Sequence, residues 1–268
     1  RVPGRGEGVK TAIVTLSAEG VRVAEILREG LDGASIFVHE KVEGRGDGTP
    51  FASIMALTRD LFPQYERLIF IAPCGAAVRA LAPNLRDKRE DPAVVVVDAA
   101  GRFAISLLSG HEGGANDLSV AVANLLGAEP VVTTTTDALK DVIVGVGCRR
   151  GTSAEKIVAA VTGALEKVPV DLSRVRLLAS ADVKAREEGL MEAARRLGVP
   201  LRIVPSEEIR ATGRDFTRSD FVMGKVDLPA VAEPAALLAG RRTRLLLPKT
   251  ARDGVTVAVA VENCLSSE

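Results

Sequence analysis

Short apolar runs alternate with amphipathic stretches along the whole chain. "TAIVTLS" (Thr11–Ser17), "ASIFVHE", "RLIFIA", "AVVVVD" and "RFAISLLS" have the length and patterning of strands. Between them, "EGVRVAEILREGL" places Val23, Ile26, Leu27 and Leu31 at helical spacing, and "FASIMALTRDLF" reads as a helix closed near Pro63. "GRGDGTP" reads as a loop, "PCGAAVRALAPNL" as a helix entered through a tight turn, and "AAG" as a hairpin connection. "LSVAVANLLG" aligns Leu118, Val122, Leu125 and Leu126, with Gly127 as its stop, and "PVVTTTTDA" follows.

The same alternation then restarts. "DVIVGVG" is a strand, "CRRGTS" a turn, and "AEKIVAAVTGALEKV" a helix along Ile157, Val158, Val161 and Leu165. Thr152 to Glu155 fits a capping box, which sets the expected start of that helix. "VRLLAS" and "PLRIVP" are strands flanking a helix, "DVKAREEGLMEAARRLG", ended by Gly198. After a polar segment, "TGRDFTRSDF", comes a short helix with Pro234 in its first turn, then the strands "TRLLLPKT" and "VTVAVAVE". Several strands are apolar on both faces, as in sheets covered by helices on each side. The expectation is an α/β protein of two three-layer domains with mainly parallel or mixed sheets. They cover residues 1–139 and 140–268, with no internal repeat between them.

Composition narrows the function more than the fold. With 47% hydrophobic and 26% charged residues, a packed core is expected and disorder is not. Lysine plus arginine equals aspartate plus glutamate, 35 each, and there is one Tyr and no Trp. Neither a basic footprint nor a base-stacking platform is present, so no nucleic-acid partner is expected. Cys74, Cys148 and Cys264 form no CxxC pair, so no protein metal site and no disulfide framework are expected. Apolar runs fall well short of a membrane span, and "RVPGRGEGVK" reads as a flexible lead-in without the apolar core of a secretory signal. The expected setting is cytoplasmic, with no membrane partner.

Three places share one design: an apolar strand, a glycine turn, then a helix. They are "FIAPCGAAVRAL", "SLLSGHEGGANDL" and "VGVGCRRGTSAEK". Free N–H groups at a helix start favour carboxylates and phosphates, so three such corners on one sheet edge would suit a polyanion. None matches a Walker or dinucleotide fingerprint. His111 is either a backbone-held loop histidine or a base oriented by Glu112 or Asn116. Cys148 reads as a small buried apolar residue or a soft ligand. Arg149 and Arg150 read as a solvated basic turn or a carboxylate clamp. "TTTTD", ending at Asp137, is either plain β-propensity or a polar wall. Glu233 either caps its helix or faces a cleft.

Residues 91–138, "DPAVVVVDAAGRFAISLLSGHEGGANDLSVAVANLLGAEPVVTTTTDA", resemble the N-terminal signature of the CbiG family of cobalt-precorrin-5A hydrolases. "VGVGCRRGTSAEKI", "VAEPAALLAG" and "LLLPKTARDGVTVAVA" resemble that family's C-terminal domain, which also occurs alone as the CobE family. Only "LKDVIV" separates Ala138 from Gly145, where family members carry an additional middle segment. The resemblance implies opening of the δ-lactone of cobalt-precorrin-5A and release of acetaldehyde, giving cobalt-precorrin-5B. It implies no cofactor, since the cobalt arrives with the substrate, and pathway methyltransferases or a second copy of the chain (a homodimer) as partners. His111, Glu112, Asn116, Asp137 and Glu233 are then the candidate catalytic residues, with N–H groups at Gly113 and Gly114 facing the developing oxyanion. Gly75, Arg79, Ser109, Gly110, Gly113, Gly114, Cys148, Arg149, Arg150, Gly151 and Thr152 are the candidate substrate-binding set. A non-catalytic carrier of the corrinoid intermediate, handing it to a methyltransferase, is the alternative.

Overall fold

The computed structural model describes residues 9–217 and 228–264. The chain divides into two compact units, Arg1–Thr134 and Thr135–Glu268, so the boundary falls a few residues before the expected one. The difference is a single helical turn, α5 (Thr135–Ala138), which belongs to the second unit. The last four residues of the expected polar segment "TGRDFTRSDF", 218–221, lie outside the described residues.

In the first unit the elements run β1 (Thr11–Thr15), α1 (Ala18–Gly30), β2 (Ala34–His39), β3 (Thr49–Phe51), α2 (Ile54–Leu61), β4 (Arg67–Ile71), α3 (Cys74–Leu81), β5 (Ala93–Val97), β6 (Phe103–Leu108), α4 (Ala115–Leu126) and β7 (Glu129–Val131). Its sheet has the order β3-β2-β1-β4-β5-β6-β7. Side-chain alternation along the central strands sorts the core onto two faces. Ile13, Ile69, Ile71, Val95 and Val97 pack with Leu27 of α1 and Leu118 and Val122 of α4. Ala12, Val14, Leu68, Phe70 and Val96 pack on the other face with Leu61 of α2 and Leu81 of α3. Burial on both sides explains the unbroken apolar strands. Strand β3 was hidden inside the loop and helix reading, because three residues are too few to show a period.

Strands β1 to β5 are mutually parallel, but β6 returns antiparallel to β5 through the hairpin at Gly101, and β7 follows β6. The reversal decides where the chemistry of this unit can lie.

The second unit runs α5, β8 (Val142–Cys148), α6 (Ala154–Leu165), β9 (Val175–Ala181), α7 (Glu188–Leu197), β10 (Leu201–Val204), α8 (Ser206–Ala211), α9 (Ala232–Leu238), β11 (Thr243–Arg252) and β12 (Val255–Glu262). Its sheet order is β10-β9-β8-β12-β11, with β8, β9 and β10 parallel and β12 antiparallel to both neighbours. Val142, Val144 and Val146 of β8 pack with Ile157 and Val161 of α6 and Leu190 of α7. The glycine between them, Gly145, faces the other side, where a Cβ would overlap the carbonyl oxygen of Ala232 at the start of α9. Both units are therefore three-layer α/β structures on mixed sheets, as expected.

Candidate active site

Chain direction reverses its lateral course at β8: β9 and β10 lie to one side and the β11–β12 hairpin to the other. Ligands of open α/β sheets bind at such a point, beyond the carboxyl ends of the strands. Here the end of β8 opens into a cavity of roughly 1170 Å³. Pockets for drug-sized ligands span about 300–1,000 Å³, so this one suits a larger molecule. Gly147, Ala230, Val231, Ala232 and Val255 give it small apolar walls. Among the described residues, Arg149, Arg150, Lys184, Arg186, Lys249 and Arg252 line it with positive charge, against two carboxylates, Glu187 and Asp253. A chain of zero formal net charge has thus concentrated cations in one hollow.

The cations arrive in pairs from three parts of the unit. Arg149 and Arg150 sit in the turn after β8, and the Arg149 N–H donates to the Gly254 carbonyl of the hairpin at 3.1 Å. Lys184 and Arg186 lie in the irregular stretch between β9 and α7. Lys249 comes from β11, fixed by its backbone N–H donating to Glu233 Oε1 at 2.8 Å. Gly189 allows α7 to start hard against the turn, since a Cβ there would overlap the Thr152 carbonyl oxygen. Cys148 is half-buried on this wall, and burial pushes its thiol up, so it behaves as the small apolar residue rather than a ready thiolate.

Two expectations change in this unit. The capping box does not form: the N-cap of α6 is Ser153, and the Thr152 hydroxyl donates to the Arg149 carbonyl at 2.7 Å, closing the turn. Glu233 does not line the cavity. It is fully buried, its carboxylate accepting the N–H of Lys249 at 2.8 Å and of Thr217 at 2.5 Å, so it anchors the wall instead of acting on a ligand. Asp137 sits on α5 and is paired with Lys140 at 2.8 Å. Lys184, Arg186, Lys249 and Arg252 were missed. The signal for the first two was present, because "DVKAREE" directly follows a strand and is where a parallel strand meets its site.

In the first unit the glycine-rich loop Ser109–Gly114 joins β6 to α4, with His111 exposed on it. The glycines serve packing. A Cβ at Gly110 would stand 2.6 Å from Thr134 Cγ2, and one at Gly113 would overlap the Cβ of Ser109. The Asn116 side chain is buried beneath: its Oδ1 accepts from the Ser106 hydroxyl at 2.7 Å and its Nδ2 donates to Thr134 Oγ1 at 2.8 Å. It ties β6, α4 and the threonine run together, which is a positioning task. Glu112 is bound at 2.5 Å by Lys88, whose ammonium holds its carboxyl below the ordinary carboxylate range.

The expected oxyanion arrangement is overturned at Gly113, whose N–H donates to the Ser109 carbonyl at 3.1 Å. That carbonyl also accepts from Ala115, at 3.2 Å, and the Gly110 carbonyl accepts from Asn116 at 3.0 Å. Ser109 is left-handed at φ 56° and its buried hydroxyl finds no hydrogen-bond partner among the described residues. The shared sheet edge is overturned as well. Ile71, at the end of β4, pairs with Val97 at the end of β5, whereas Leu108, at the end of β6, pairs with Val94 at its start. The Gly75–Arg79 corner and the His111 loop therefore leave opposite edges of one sheet. Arg79 is turned back on its own helix, donating to the Gly75 carbonyl at 3.0 Å.

A cation-lined hollow with small apolar walls, at the carboxyl end of an α/β sheet, has the chemistry to suit a large, carboxylate-bearing organic molecule. Comparison with known proteins narrows that class. The family description "Cobalamin synthesis G C-terminus" matches residues 142–260 and "Cobalamin synthesis G N-terminal" matches residues 56–137. The cobalt-precorrin-5A hydrolase of Salmonella typhimurium is 29% identical over 93% of this chain and 97% of its own. That of Priestia megaterium is 26% identical over 93% and 94%. Protein CobE of Sinorhizobium sp is 33% identical over 50% of this chain and 88% of its own. A solved CobE structure is 31% identical, covering 46% of this chain and 90% of that one with a TM-score of 0.42. The chain belongs to the CbiG family of cobalamin-synthesis proteins, with a CobE-like second unit. Its alignment with the Salmonella protein spans 344 positions, more than the 268 residues available here, so that relative carries residues with no counterpart in this chain.

Proposed function

We infer that this protein is a cobalt-precorrin-5A hydrolase, opening the δ-lactone of its substrate and releasing the two-carbon unit as acetaldehyde. One observation carries the reading from the chain's own side: the cavity of the second unit pairs small apolar walls with six cations among its described residues. A tetrapyrrole fringed with acetates and propionates is an apolar ring with a carboxylate rim, and needs that combination. Water adds to the lactone carbonyl and the ring C–O bond breaks, leaving a carboxylate and a hydroxyl on the two-carbon unit. Loss of that hydroxyl proton then breaks the C–C bond, forming the aldehyde C=O while the electron pair passes to the macrocycle. His111, exposed on its loop, is the proposed base for water. Arg149 and Arg150 hold peripheral carboxylates. The cobalt is part of the substrate. We place the reaction in the cytoplasm, with the product passing to a pathway methyltransferase.

The test is aldehyde release from cobalt-precorrin-5A. Arg150→Ala is expected to lower kcat/KM by about 10- to 100-fold, the worth of one charge-assisted hydrogen bond. His111→Ala is expected to lower kcat by about 10² or more with binding kept. Unchanged turnover in His111→Ala would remove the histidine from the mechanism. Tight binding with no aldehyde from the unmodified protein would replace the hydrolase with the carrier reading.

A further inference from the structure

The cavity holds an internal carboxylate on the donors that a ligand would use. Glu187 is the N-cap residue of α7, yet its side chain makes no cap bond to its own helix. It reaches instead to the turn after β8, where its Oε2 accepts the Gly151 N–H at 3.0 Å, and its Oε1 accepts from Lys184 Nζ at 3.2 Å. Lys184 and Glu187 are the most enclosed charged pair of the cavity wall, with side chains 13% and 14% exposed. Burial alone would raise the Glu187 carboxyl. The Gly151 N–H, Lys184 and Arg150 outweigh it and hold the group below the ordinary carboxylate range, so it is an anion at neutral pH. The N–H at the arginine turn is thus filled by a carboxylate of the chain itself.

We propose that Glu187 is a displaceable stand-in for a ligand carboxylate, and that binding proceeds by exchange at the Gly151 N–H and Lys184. The ligand class is an organic polycarboxylate; that it is a tetrapyrrole rests on the function proposed above. Exchange makes the seat selective. A lone carboxylate gains little by replacing an equivalent internal one, whereas a molecule anchored elsewhere by Arg149, Arg150 and Lys249 brings its carboxylate at high local concentration. Glu187 also keeps Lys184 paired, since a nearly buried ammonium without a partner is costly.

The experiment follows the Gly151 amide resonance of the full chain during titration with glutarate, a dicarboxylate too small to span the cavity. In Glu187→Gln the amide is expected to respond at a glutarate concentration at least tenfold lower than in the unmodified protein. Glu187→Ala, which empties the seat without offering an amide oxygen, should respond at least as strongly. Asp253→Asn removes the other carboxylate among the cavity's described residues and is the control for net charge. Equal gains in Glu187→Gln and Asp253→Asn, or a Gly151 amide that stays unmoved in both Glu187 variants, would overturn the exchange. A second titration uses cobalt uroporphyrin. If it fails to bind while the glutarate result holds, the tetrapyrrole reading falls and the exchange stands.

Discussion

Glu233 shows how one residue can look catalytic in a sequence and be architectural in the fold. A carboxylate beside a helix-opening proline suggests either a cap or an acid facing a cleft. Full burial, with both oxygens receiving backbone N–H groups from Thr217 and Lys249, makes it the tie that sets the Lys249 wall. Removing the carboxylate strands two donors, and an unpaired buried donor costs about 1–3 kcal/mol. Glu233→Ala is therefore expected to lower stability by about 2 kcal/mol, read as a lower urea midpoint at unchanged m value. A loss under about 0.5 kcal/mol would show that the tie is dispensable. Asn116 repeats the lesson in the first unit, where a candidate for orienting His111 proves to clamp Ser106 and Thr134. Both residues were conspicuous because polar side chains near glycine and proline turns have two uses. Only burial and partners tell them apart, and neither is written in local spacing.

At the scale of elements, helices α6 and α7 pack side by side and are laced at one end by Arg196, whose Nη1 bonds Glu155 at 2.5 Å. The backbone N–H at the start of α6 and then Arg196 bring the exposed Glu155 carboxyl from 4.5 down to about 2. Its folded pKa lies below the unfolded one, so its contribution is complete above the unfolded value and disappears as pH falls through the folded value. The stability difference between the unmodified protein and Glu155→Gln is expected to shrink steadily from about pH 4.5 to about pH 2. Salt should blunt it, since the pair faces solvent. A difference flat across that window would show that the lacing contributes nothing. Helix ends of this kind were largely legible: Gly127 and Gly198 end α4 and α7 in the left-handed conformation, as their place after the periodic residues indicates. Pairing was harder to read. The hairpin at "AAG" was visible in the sequence, but its consequence, that β6 reverses and carries the His111 loop to the far edge, is a property of strand neighbours. Lys184 and Arg186 stayed hidden for a related reason: "DVKAREEGLMEAARRLG" scans as one helix, while the chain breaks it into a short 3₁₀ turn and α7.

For the whole molecule, the two units have separate sheets and separate cores, with the division at Thr134 and Thr135. The CobE relative matches half of this chain over 88% of its own length. Every described residue lining the cation-rich cavity, Gly147 through Thr256, belongs to that second unit, and so does the Glu187 exchange seat. His111 and its packed glycine loop belong to the first. Residues 135–268 expressed alone are therefore expected to fold cooperatively and to bind cobalt uroporphyrin within about tenfold of the full chain's affinity. They should release no acetaldehyde from cobalt-precorrin-5A. Calorimetry, an absorbance titration and an aldehyde assay on the fragment read the three outcomes separately. Binding lost in a folded fragment would mean that the cavity walls depend on the first unit, and aldehyde released by it would move the hydrolytic chemistry off His111 and into the arginine-lined hollow itself.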